Sequence, residues 1–435
     1  MIKKILFLFF FINILIAKDC YSILTKVGLF TPVYPYNFKN YRHLIKIKDN
    51  EYIKSKILWD DNLAYVGCFK TFDEVKYVLN HLNFNFKNPK IVYHKVNFED
   101  KYVIFPNKAD VNSTNIDKLI DKYKPKKLIK YFPKKFYGNG IDIVDIDKFL
   151  IVPPINLYEL YKYYKKHHYN QKILVLYNGV YNLEYIYKKI HNSNIIKKIN
   201  NNTYIIKYPI YISPTAKLII NNKNVLLEAV PNPVFIMYHG NFYAKNSKFI
   251  AWNLIKNKYA KREKIPKEKL LLIGVHTPRP YILGLSGSVS YFINNVFRGL
   301  GFHSTTATFG VSIVNFPNDI YINNLLFNYL NRRGKPTGYY IGNIMYDNMM
   351  GFYCSNAYKV VLVGNLMYDN IIYNIDPHDY SDYLIIVRNI TTKAKNAHGI
   401  VVSRSVNHVT IAENITFNNH SAGIMLDRNS NYGYI

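Results

Sequence analysis

Cysteine is almost missing: Cys20, Cys68 and Cys354 are the only three in a chain of 435 residues. That excludes a disulfide-stapled scaffold, which needs many cysteines in a short chain. It also leaves too few thiols for a four-cysteine zinc centre. No apolar stretch reaches the roughly 20 residues that a membrane-crossing helix requires. Acidic residues are few, 28 against 57 basic ones, for a formal charge of +29. Such an excess argues against a cationic partner and is compatible with a polyanion. The excess is spread along the chain, +17 over residues 1–205 and +12 over 206–435, with no basic tail or arm. Much of it is also what a composition rich in Lys, Asn, Ile and Tyr would give, so charge is permissive evidence only. No P-loop, G-x-S-x-G elbow or metal-ligand spacing occurs.

What is present begins at the N-terminus. Lys3 and Lys4 precede the apolar stretch Ile5–Ile16, which Ala17, Lys18 and Asp19 follow. This is the layout of a secretory signal, expected over residues 1–17. Export to the periplasm is the first expectation, with secretion as the alternative and a retained anchor behind both. An exported chain is not expected to bind nucleic acid. Export also permits a disulfide, and Cys20–Cys68 would be the natural pair. Cys354, inside Gly351-Phe352-Tyr353-Cys354, reads as a buried small hydrophobe.

Residues 18–205 read as a mixed α/β accessory region. "CYSILTKVGLF" and "LAYVGCF" have strand character, while Thr71–Leu82 has helical apolar spacing with Thr71 as N-cap and Glu74 three residues on. The strand–helix–strand order over about 18–100 weakly resembles SPOR-like peptidoglycan-binding modules. A generic α/β domain is the plainer description. A second strand-then-helix pattern occurs near residues 170–195, and this half carries no chemistry-bearing constellation.

From about residue 206 helical periodicity gives way to short β-branched runs separated by Asn, Gly and Ser. Early runs start at Asn246, Asn294 and Asn323. Later ones align on Asn343, Asn365, Asn389 and Asn414, spaced 22, 24 and 25 residues apart. A period in the low twenties built of short strands marks a parallel β-solenoid. Stacked turns lie about 4.8 Å apart, so asparagines recurring at one bend can hydrogen-bond along the stack. The predicted fold is therefore mainly β: a right-handed parallel β-helix over 206–435 behind the α/β region. An antiparallel sandwich with chance spacing is the alternative.

The densest polar cluster is Tyr373-Asn374-Ile375-Asp376-Pro377-His378-Asp379-Tyr380-Ser381. Asp376 and His378 share strand parity and should face one way, where a carboxylate can orient an imidazole. The proline removes a ladder donor and marks an irregular position. Counted from the asparagine of its own turn, His378 is at +13 and Arg404 at +15. An offset of two preserves parity, so Arg404 should project beside His378 one layer away. His398 follows Tyr373 by about one turn. A guanidinium that neutralises a carboxylate lowers the cost of removing the proton beside it, and a neutral histidine can take that proton. Tyr373 or a water could return one from the other side. These parts suit epimerisation or β-elimination of a uronate polymer; a non-catalytic binding surface for such a polymer is the remaining class. Asp427, Arg428 and Asn429 either extend the groove or form a solvated corner, and His276-Thr277-Pro278-Arg279-Pro280 reads as a loop between turns.

At these residues the chain resembles periplasmic mannuronan C5-epimerases of alginate producers. The resemblance rests on "GFYCSNAYKVVLVGNLMYDNIIYNIDPHDYSDYLIIVRN", "HGIVVSRSVN" and "LDRNS"; it is strongest over about 338–431 and extends back to about 212. It implies that His378 is the catalytic base, that Asp376 and Asp379 are the acids flanking it, and that Arg404 neutralises the substrate carboxylate. For the acid it implies Tyr373 by analogy with secreted relatives, or water as in the periplasmic branch. It implies polymannuronate or alginate as substrate, and an alginate secretion complex, or peptidoglycan through the N-terminal region, as further partners. No cofactor is expected; secreted relatives use calcium, which no pattern here indicates. Residues 18–205 fall outside the resemblance. The chain stops at Ile435, where family members continue for further turns, as expected of a shortened version or an incomplete gene product.

Overall fold

The computed structural model describes residues 18–26, 41–46, 52–60, 63–69, 71–81, 87–96, 101–105, 114–146, 165, 172–266, 269, 276–303, 308–315, 333–431 and 433. The expected leader at 1–17, the repeat run beginning at Asn323 and the side chains of Cys20 and Cys68 lie outside the described residues. By contacts the chain divides into two compact units, one drawn from residues 1–112 and one running from 113 to 435.

The first unit holds a six-stranded sheet in the order 87–96, 18–26, 63–69, 52–60, 41–46, 101–105. Its pairs are antiparallel except the last, 41–46 with 101–105, which is parallel. One helix, Phe72–His81, starts directly after Thr71 as the sequence predicts and buries Val75.

The second unit is a parallel β-helix. Its short runs cannot bury their apolar faces singly, so they wind into a coil whose three faces are sheets of nine, ten and ten strands. One face, here the site sheet, ends with strands 352–355, 375–378, 400–403 and 424–427. The next, partly covered by helices, ends with 361–363, 382–387 and 407–412. The third ends with 366–368, 390–392 and 415–417. Inward positions are apolar and sealed: Phe242, Phe249, Phe292, Phe297, Tyr340 and Phe352 are fully buried and pack ring on ring down the axis. Each buried aromatic removes some 150–250 Å² from water, and the summed burial drives the stacking.

The repeated asparagines form the predicted ladder. Asn365 donates its backbone N–H and its Nδ2 to Asn389 Oδ1 at 3.0 and 2.8 Å, and Nδ2 also to Tyr340 O at 2.8 Å. Asn295, Asn343 and Asn389 repeat the pattern in their own turns, and Asn414, the last rung, accepts from Asn389 and donates Nδ2 to Ile386 O. The residue before each of these asparagines takes the left-handed backbone that the corner needs. At Gly342 and Gly364 that costs little, whereas Arg388 and Glu413 adopt it too. A second ladder, Asn348–Asn370, lines another bend and was not foreseen.

The coil begins ahead of the change in sequence character at 206. Strands 172–176 and 179–182 already pair in parallel with 210–212 and 216–221. Their turn is disguised because a helix, Leu183–Ile190, capped by the Asn182 side chain, intervenes before its third strand, 203–206. Each of the three sheets opens with one antiparallel pair: 137–138 on 179–182, 141–145 on 172–176, and 196–200 on 203–206. Two short helices, Thr114–Asp121 and Pro125–Ile129, lay Ile116, Ile120 and Leu128 on the outside of the second sheet. The loop at 276–280 is secured by Arg279, whose buried guanidinium donates to Gly299 O and Ala260 O at 2.6 Å.

Candidate active site

On the site sheet the inward row stays apolar through Ile282, Val311, Phe352, Ile375, Ile400 and Ile424. The outward rows change character along the coil. Leu283 and Ser312 give way to Tyr353 and then Asp376, and in the adjoining row Val314 gives way to Ser355 and His378. Parity therefore puts Asp376 and His378 on one outward face, as the sequence implied. Pro377 sits between them inside the strand. Ile375 donates to Gly399 O at 3.0 Å, and the next donor along that edge would be residue 377, which has no N–H. The register between these two turns is accordingly confined to Ile375 opposite Ile400.

Beyond the strand ends the chain turns through two consecutive left-handed residues in each of three turns: Asp379-Tyr380, Arg404-Ser405 and Arg428-Asn429. Buried Ser381 holds the first of these corners. Its hydroxyl donates to His378 O at 2.8 Å and accepts the Ala357 N–H at 3.1 Å.

Arg404 does not stand beside His378 by strand parity. Ile375 lies opposite Ile400, so counting along both strands brings Ser403, not Arg404, beside His378. Arg404 follows the strand in the left-handed corner above Asp379. It reaches the patch by that route, with Nη1 3.6 Å from Asp379 Oδ1. Strand parity does not extend through residues with positive φ.

Asp379 is the hub. His378 Nδ1 lies 2.7 Å from its Oδ2, out of line for a hydrogen bond, and Ser355 Oγ donates to the same oxygen at 3.1 Å. Burial works to raise the Asp379 carboxyl, but His378, Ser355 and Arg404 outweigh it and hold the group below its usual range. Asp376 is the reverse case. It is 2% exposed, with no hydrogen-bond partner for Oδ1 among the described residues. Burial, reinforced by the charge of Asp379 and opposed by His378 and Arg404, pushes it up to about 7. Tyr353, opposite Asp376 in the stack, has its ring centroid 5.8 Å from that of His378, and burial with the two carboxylates raises its phenol well above normal.

Tyr373 and His398, one turn apart, stack with rings 6° from parallel and centroids 5.8 Å apart. Tyr373 is half-buried, and burial followed by Asp376 and Asp427 raises its phenol, so it holds its proton at neutral pH. His398 Nδ1 accepts the Ala422 N–H at 3.1 Å, and burial lowers its basicity. Asp427 lies opposite Ser403, and Arg428 Nε is 3.2 Å from its carboxylate. Arg428 and Asn429 thus continue the Arg404 corner by one more turn. Tyr353, Ser355 and Ser381 carry no site role on sequence grounds, although Tyr353 and Ser355 stand one turn before Asp376 and His378.

The raised Asp376 gives a stability signature. An acid with a higher pKa folded than unfolded, where it is about 3.9, withdraws stability as pH rises from about 4 to about 7. The size is about 1.4 kcal/mol for each tenfold change in proton affinity. Asp376→Asn should flatten that decline, gaining on the wild type by a few kcal/mol at pH 8 and little at pH 4. Thermal melts across this range that show parallel curves for both proteins would refute the assignment.

Comparison with known proteins agrees with this arrangement of strands. The chain is similar to mannuronan C5-epimerases. It is 30% identical over 259 residues to the mannuronan C5-epimerase of Pseudomonas syringae pv. tomato, covering 59% of this chain and 45% of that protein. It is 32% identical over 221 residues to mannuronan C5-epimerase AlgG of Azotobacter vinelandii, covering 50% of this chain and 38% of that one. The chain thus spans less than half the length of these curated relatives. Among solved structures it matches the periplasmic alginate epimerase AlgG with a TM-score of 0.63 and 25% identity, over 72% of this chain and 70% of that one. No family model matches.

Proposed function

We propose that this protein is a mannuronan C5-epimerase, turning β-D-mannuronate into α-L-guluronate within a polyuronate chain in the periplasm. The observation that carries the reading is the convergence of His378 and, from the corner one turn on, Arg404 upon the Asp379 carboxylate. The likeness to mannuronan C5-epimerases supports it.

In this reading Arg404, half-exposed at the corner, meets the substrate carboxylate and offsets the charge that builds when C5 loses its proton. Neutral His378 takes that proton, and ionised Asp379 beside Nδ1 stabilises the imidazolium that results. Asp376 sets the potential around the ring from below. Tyr373, which burial and the nearby carboxylates keep protonated, or a water returns a proton to the opposite face of the sugar. His398, Asp427, Arg428 and Asn429 bind neighbouring sugar units. Docking to a secretion complex or to peptidoglycan through residues 18–205 belongs to the same proposal.

Incubation of polymannuronate with the protein in deuterated water decides the matter. Guluronate signals in the proton spectrum, with deuterium at C5 of intact chains, are expected. Unsaturated ends absorbing in the ultraviolet would assign the site to a lyase instead. An unchanged polymer would leave only a binding role.

A further inference from the structure

Across the corner from His378, the second sheet carries another polar and aromatic constellation. Tyr358, Asp382 and Asn407 stack in register over three turns. The residues that follow them, Lys359, Tyr383 and His408, all have left-handed backbone, with φ of 54°, 56° and 49°. Positive φ is uncommon for a bulky side chain. Here it recurs in three successive layers, and the register passes from Asp382 opposite Asn407 to Leu384 opposite Val409. These stacked left-handed residues leave the register unchanged and kink the strands alike in each layer, and the kinks have one clear effect. Tyr383 and His408 stack with centroids 4.6 Å apart and planes 8° from parallel, and Tyr358 meets Tyr383 edge-on at 5.5 Å. Tyr383 is 47% exposed and Tyr358 36%. Asp382 Oδ1 holds His408 Nδ1 at 2.8 Å and also accepts the Tyr383 N–H at 3.0 Å. Lys359 Nζ stands 5.0 Å from the centre of the Tyr358 ring.

The stripe opens onto a groove of about 530 Å³ that Lys122 and Tyr123 also line, together with Tyr339 of the same sheet. Aromatic faces with basic tips, set along the coil axis, match a chain whose units offer an apolar ring face and a carboxylate. Three layers extend roughly 10 Å, room for a short stretch of polymer. None of these groups belongs to the constellation around His378.

We propose that Lys359, Tyr383 and His408 form a second, non-catalytic site for an acidic polysaccharide, one that holds the polymer while the His378 face works on it. The choice of polyuronate rests on the epimerase reading, and the experiment separates the two. The full chain is run in native gels cast with polymannuronate, and initial rates are taken on long polymer and on short oligomers. Lys359→Glu and Tyr383→Ala should each weaken retardation about fivefold and raise KM on long polymer to match, with kcat and rates on short oligomers unchanged. Tyr383→Phe should behave as wild type, and His378→Ala should still be retarded. Retardation and KM at wild-type values in both Lys359→Glu and Tyr383→Ala would overturn the proposal, as would equal retardation by a neutral glucan. If the wild type is retarded through these residues yet never epimerises, the second site stands and the epimerase reading falls.

Discussion

His378→Ala is expected to lower turnover of polymannuronate by roughly 10²–10⁴-fold, the usual yield of a positioned general base. Binding of the polymer should change little, because the carboxylate contact is assigned to Arg404. The mechanism therefore predicts a loss in kcat with KM nearly intact. Arg404→Lys offers the complementary result. Lysine keeps the charge but loses the planar fork, so both constants should suffer and kcat/KM should fall well below wild type. Steady-state kinetics on polymers of defined length reads both effects. A His378→Ala protein that keeps wild-type kcat would remove the imidazole from the chemistry altogether.

The largest effect on stability is expected at Asn365. Its Oδ1 accepts from Asn343 N and Nδ2, and its own amide serves Asn389 and Tyr340. Alanine there would strand two buried donors on one side and a carbonyl on the other. Each unsatisfied buried group costs about 1–3 kcal/mol, so Asn365→Ala should lose on the order of 3–5 kcal/mol. Asn414→Ala, at a half-exposed rung of the same ladder, should lose about 1 kcal/mol because water can replace part of the pairing. Urea unfolding of the two variants beside wild type gives the comparison. Similar small losses in both would mean that the asparagines follow the coil without supporting it.

What could be read from the chain was whatever repeats once per turn on a regular strand. The asparagine ladder was legible because each rung returns at nearly constant spacing and its side chain has one possible partner, the next rung. Asp376 and His378 were legible as a pair because two residues apart on a strand means one face. Arg404 was legible by type and turn but not by register. Spacing counts residues, whereas the corner after Ser403 spends them on left-handed conformations that a count cannot see. The same blindness hid the left-handed kinks at Lys359, Tyr383 and His408. The start of the coil was missed for another reason: Leu183–Ile190 has strong helical patterning that drew the whole segment into the α/β region. Tyr353 went unremarked because its place beside the site comes from the residue stacked on it, Asp376, and not from its own surroundings in the chain.

The antiparallel pair that opens each of the three sheets has a consequence for assembly. A bare coil end would offer three parallel templates at once, onto which a second coil could seat and continue the winding. Strands 137–138, 141–145 and 196–200 run against that winding. An incoming turn of the same winding would meet strands of inverted polarity there, so the parallel ladder cannot simply be continued at this end.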